Sequence, residues 1–102
     1  MPIHDEKRKK FTEKNVAKAP RKPGIYALYV KDELIFLGTA SRPGVTIRGM
    51  LRKHMKGGKG PETAAATHYK REAGAKARVR LRELLREHVS KYRSLPRCNA
   101  VS

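Results

Sequence analysis

The sequence predicts a small α+β domain, a three-stranded antiparallel sheet flanked by helices. Three observations carry this. Two short runs rich in β-branched and aromatic residues, GIYALYV (24–30) and LIFLGTA (34–40), flank a charged turn, KDE. Two longer segments, 47–56 and 75–92, repeat their apolar residues at helical spacing. No long crossover separates neighbouring elements, so antiparallel pairing with helices packed on the sheet is the simplest arrangement. At 102 residues, 38% of them hydrophobic, the chain has material for one modest core.

The elements follow in order. Residues 1–22, MPIHDEKRKKFTEKNVAKAPRK, are basic and poor in apolar side chains. They read as an arm that orders on phosphate and is flexible without a partner. Pro23 punctuates, and the domain proper is expected over 23–102. In the first strand, Gly24–Val30, Tyr26 and Tyr29 fall on opposite faces, so one is expected to pack and the other to meet solvent. SRPG (41–44) breaks the second strand. Thr46 is the expected N-cap of a helix over Ile47–Lys56. Its inward stripe is Ile47, Leu51 and Met55, flanked by Met50 and His54. GGKGPET (57–63) reads as a loop and THYKRE (67–72) as a short third strand. From Ala75 to Tyr92, the residues Ala77, Leu81, Leu84, Leu85, His88 and Tyr92 form one helix face, which puts His88 in the core. Arg78, Arg82 and Arg86 form a basic ridge beside that face. RSLPRCNAVS (93–102) closes as a tail in which Cys98 is a small packed residue.

Charge bounds the function. The chain has 25 Lys and Arg against 9 Asp and Glu, a formal net charge of +16. Self-repulsion of that size disfavours a compact state until a counter-charge arrives. A polyanion supplies one, so nucleic acid or a ribonucleoprotein is the expected partner, gripped mainly through phosphates. The basic candidates are Lys7, Arg8, Lys9 and Lys10 in the arm, Arg48, Arg52 and Lys53 on the first long helix, and the ridge Arg78, Arg82 and Arg86. No apolar run reaches the length of a membrane span and no leader resembles a signal peptide. A membrane partner is therefore not expected, and a cytoplasmic location is. The lone Cys98 rules out an internal disulfide and a cysteine zinc cluster. No aromatic cluster that would stack single-stranded bases is visible along the chain, so shape and phosphate recognition are expected over base reading. DNA and RNA stay equally open.

Gly24-Ile25-Tyr26 on one strand and Phe36-Leu37-Gly38 on the next, then TIRGMLRKH (46–54) and RELLREHVSKYRSLPRCN (82–99), resemble the GIY-YIG nuclease domain from about residue 23 to residue 100. That family cleaves phosphodiesters with one divalent metal. The chemistry uses an acidic metal ligand, tyrosines that handle the nucleophile and its proton, and an Arg that stabilises the pentavalent phosphorus. The resemblance keeps Tyr26, His54 and Asn99 at family positions. It sets Phe36 where the second Tyr belongs, Met50 where the Arg belongs and Leu81 where the metal-binding Glu belongs. A ring without oxygen moves no proton, a thioether stabilises no phosphoryl charge, and a hydrocarbon holds no hard cation.

The resemblance thus implies a nuclease fold that has lost catalysis and kept nucleic-acid binding, with no metal or other cofactor. Such a protein would be a structural or accessory component of a ribonucleoprotein, such as a ribosome, or of a nucleoid. Phe36, Met50 and Leu81 should then converge in one cleft beside Tyr26. The alternative is an active Mg2+-dependent endonuclease with shifted residues, using Arg48 or Arg52 with Glu83 or Glu72. Helix geometry weighs against it. Arg48 and Arg52 sit two residues from Met50, on the far side of a helix, and Glu83 and Glu87 lie opposite the Ala77–Leu81–Leu85 stripe.

Overall fold

The computed structural model describes residues 7–74 and 76–99. The first six residues of the expected arm, Ala75 at the expected start of the last helix, and 100–102 of the tail lie outside the described residues. The elements are β1 (Lys9–Lys10), α1 (Glu13–Val16), β2 (Gly24–Val30), β3 (Glu33–Ala40), α2 (Ile47–Met55), α3 (Pro61–Ala64), β4 (His68–Ala73) and α4 (Ala77–Tyr92).

The fold is α+β, with an antiparallel sheet of four strands rather than three, in the order β1-β4-β2-β3. The extra strand comes from the basic segment. Lys9 pairs with Tyr69 and Lys10 with His68. Phe11 then sets its ring edge-on to Tyr69, with centroids 6.0 Å apart. The Thr12 side chain caps α1, and Val16 and Ala19 are fully buried. From Lys9 to Ala19, the segment read as a free arm is therefore part of the domain. It escapes sequence patterning because a strand of two lysines shows no alternation, and one helical turn buries a single valine.

The sheet separates two apolar layers. Tyr26 and Leu28 on β2 and Tyr69 on β4 meet α1 and α2 through Val16, Ile47 and Leu51. Ile25 and Ala27, pointing the other way, meet α4 through Ala77 and Leu84. Alternation along β2 delivers successive residues to opposite layers. Burying a side chain such as Ile47 or Leu51 completely, as here, contributes about 1.5–3 kcal/mol.

Thr46 caps α2 by accepting from the Gly49 N–H at 3.1 Å. Within GGKGPET, Pro61 opens the short α3, because proline lacks only an N–H that the first helical turn does not use. His88 is not in the core. It is half-buried, and its Nδ1 lies 2.7 Å from the Ser94 carbonyl where α4 runs past the sheet.

Close approach explains the two glycines that bracket the hairpin. A Cβ on Gly24 would overlap the Glu72 carbonyl and meet Ile47 Cδ1 at 2.7 Å. A Cβ on Gly38 would sit 2.6 Å from Tyr26 Cζ and Oη and 2.7 Å from Phe36 Cε2. Gly38 thus leaves room for the Tyr26 ring over the β2–β3 pair.

Candidate functional site

The cleft opens between β2–β3, α2 and α3, and encloses about 710 Å³. Tyr26 and Phe36 reach it from the sheet, Met50 and His54 from α2, Leu81 from α4, and Asn99 from the C-terminal segment. Six residues separated by up to 73 positions in sequence therefore line one cavity. The Tyr26 and His54 ring centroids are 5.4 Å apart, and those of Phe36 and His54 5.0 Å.

At its base runs a chain of neutral polar groups. Tyr26 Oη lies 2.7 Å from His54 Nε2, and His54 Nδ1 lies 2.9 Å from Thr63 Oγ1. All three residues are buried. A neutral imidazole donates at one nitrogen and accepts at the other, so this chain satisfies the ring completely. Burial pushes the His54 pKa down from 6.5 to about 4, with Lys59 and Lys53 adding repulsion. Burial also pushes the Tyr26 hydroxyl well above its ordinary range. Both shifts move the titrations of the pair away from neutral pH.

Asn99 has a structural task. Its Oδ1 accepts from the Leu37 N–H at 2.8 Å and its Nδ2 donates to the Leu37 carbonyl at 2.9 Å, so the side-chain amide pairs with β3 as a strand backbone would. The Cys98 N–H adds a bond to the Ile35 carbonyl at 2.9 Å. The Cys98 thiol, buried as expected, points its Sγ toward Glu62 Oε2 at 3.5 Å. Burial raises its pKa, and Glu62 raises it further.

Glu62 lines the cleft and was not among the sequence candidates. Its only signal is the Gly-Pro-Glu pattern of a helix start. Among the described residues Glu62 is the one carboxylate of the lining, beside the Cys98 thiol, while the Asn99 oxygen is engaged by the Leu37 N–H.

The residues of the enzyme alternative lie elsewhere. Glu72 and Glu83 both pair with Arg80, at 3.1 and 3.3 Å. Arg48 donates from Nε to the Ala19 carbonyl at 2.8 Å, pinning the segment after α1 to α2. Arg52 is exposed on α2. None of these four belongs to the cleft lining.

The basic candidates divide into two sets. Arg8 is occupied: it pairs with Asp32 at 2.7 Å and lies over the Tyr29 ring at 5.6 Å. Lys9 is half-buried in β1, while Lys7, Lys10, Arg52 and Lys53 are exposed. The ridge is real: Arg78, Arg82 and Arg86 are exposed along α4. They border a groove of about 540 Å³ floored by Leu81, Leu85, Val89 and Leu95. Arg78 Nε also reaches Ser41 Oγ at 3.2 Å.

No protein-family model, curated protein or solved structure matches the chain. Among the described residues, no helix is long and apolar enough to cross a membrane.

Proposed function

We propose that this chain is a nucleic-acid-binding protein on a GIY-YIG-like fold that has given up phosphodiester chemistry. The reading rests on one observation. Phe36, Met50 and Leu81, which stand where the resemblance expects a hydroxyl, a guanidinium and a carboxylate, line one cleft with Tyr26 and His54. Side chains of this kind pack, and they supply neither metal ligand nor charge stabilisation. The net charge of +16 and the exposed arginines along α4 support phosphate contact as the mode of binding. The role would be structural or accessory, within a ribonucleoprotein such as a ribosome or within a nucleoid, in the cytoplasm.

The test has two parts. Fluorescence anisotropy with a labelled duplex should give an affinity that falls steeply with salt and depends little on sequence. The same protein, incubated with DNA or RNA in Mg2+ or Mn2+, should cleave neither above background. Groups that act as a unit are non-additive, so Leu81→Glu alone should recover nothing. Metal-dependent cleavage by the wild type, abolished by Glu83→Ala, would overturn the proposal.

A further inference from the structure

The last turns of α4 and the β2–β3 turn enclose a second cavity of about 540 Å³, which shares Leu37 with the cleft. That is within the size range of small-molecule sites. Leu34, Leu37 and Leu84 contribute to its lining. Tyr29, His88 and Tyr92 contribute three aromatic rings. They are up to 63 positions apart in sequence, so no local run of the chain shows them together.

His88 and Tyr92 lie with centroids 4.7 Å apart. The Ser94 carbonyl can only accept, so His88 Nδ1 carries the proton at that 2.7 Å contact and Nε2 is left as the ring's other site. Tyr92 is 58% exposed, and its ring is tilted by 40° to that of His88. Cations attend the same rings: Lys70 Nζ is 5.8 Å from the Tyr29 centroid and Lys91 Nζ 5.3 Å from that of Tyr92.

Charge then selects the ligand. Two lining carboxylates are engaged already, Asp32 by Arg8 at 2.7 Å and Glu33 by Arg97 at 3.4 Å. The third lining carboxylate, Glu87, is engaged as well. Lys70 and Lys91 over the rings disfavour a cationic guest. Three rings favour a flat π-system, and two ammonium groups favour an attached anion. A nucleobase with its phosphate combines both features.

We infer that the cavity between the C-terminal end of α4 and the β2–β3 turn binds a nucleobase together with its phosphate, stacking the base against Tyr92 and His88 and meeting the phosphate with Lys70 and Lys91. Where the ligand is a nucleotide of a longer strand, the inference rests on the nucleic-acid reading above and deepens it: the preferred partner is then a single strand or an unpaired loop. The same chemistry would also accept a free nucleotide.

The experiment compares wild type, Tyr92→Ala and Tyr92→Phe. Tyr92 is largely exposed, so its truncation leaves the core intact. Anisotropy is measured with a labelled single-stranded oligonucleotide and with a duplex of the same length, and adenosine monophosphate is titrated by NMR against inorganic phosphate as control. The expected result is that Tyr92→Ala weakens single-strand binding by roughly fivefold or more, changes duplex binding less than about twofold, and is rescued by Tyr92→Phe. Adenosine monophosphate, but not phosphate alone, should shift the His88 resonances. Equal affinity of Tyr92→Ala and wild type for the single strand, with no nucleotide-induced shifts at His88, would overturn the inference while leaving phosphate binding intact. Nucleotide shifts without binding of either oligonucleotide would support the site, identify a free nucleotide as its ligand, and overturn the broader nucleic-acid reading. Binding of none of the three would overturn both.

Discussion

His54 ties stability to pH in a calculable way. Its ring is fully buried between Tyr26 and Thr63, and its pKa is pushed from 6.5 to about 4. Between those values the unfolded chain binds a proton that the folded chain refuses, so acidification favours unfolding. The contribution is fully present above the unfolded value and is lost as pH falls through the window. The complete shift corresponds to about 3 kcal/mol, of which about 2 kcal/mol is gone by about pH 5. Urea denaturation of wild type and His54→Gln, followed from neutral pH to about pH 5, isolates the effect. Every other ionisable group is common to both proteins and cancels in the difference. His54→Gln should be less stable than wild type at neutral pH, and the gap should close by about 2 kcal/mol as the pH reaches about 5. A gap independent of pH, or an NMR titration of His54 centred near 6.5, would refute the account of a ring kept neutral by burial.

Gly38→Ala should lower stability by about 1–3 kcal/mol through overpacking, read as a drop in Tm, because the new methyl would meet Tyr26 and Phe36; an unchanged Tm would count against the packing described. Asn99→Ala removes two bonds to the Leu37 backbone and should cost about 1–3 kcal/mol in denaturant unfolding. Replacing Arg78, Arg82 and Arg86 together with Gln should leave the far-UV circular dichroism unchanged and flatten the slope of log K against log salt by roughly 2–3 for a duplex. An unaltered slope would show that the ridge does not contact phosphate.

How far the sequence reveals this molecule depends on length of signal. The hairpin of β2 and β3, α2 and α4 each present several apolar residues at one period, so their type and near-correct ends can be read directly. β4 is shorter, yet its placement at His68–Ala73 differs from the expected 67–72 by a single residue. β1, α1 and α3 span two to four residues, and no period can be established over so few. The expectation that Phe36, Met50 and Leu81 share one cleft with Tyr26 agrees with the observed lining. What Asn99 does there is not legible, since an amide at a given position can serve a ligand or a backbone, and here it serves Leu37. Arg8 and Arg48 illustrate the same limit. Each looks like a free cation in a basic run, and each is committed to a partner more than twenty residues away. The second cavity could not be anticipated at all, since its rings come from β2 and the end of α4.

Both margins of the sheet are guarded by the chain's own outer segments. At one, β1 is two lysines long, and a strand so short and so charged is a poor template for a second sheet. At the other, Cys98 and Asn99 occupy hydrogen-bonding groups of Ile35 and Leu37 that β3 would otherwise present. Unpaired strand borders recruit like borders from other molecules and begin aggregation. Trimming back past Cys98 would bare the β3 border and favour self-association in proportion to concentration.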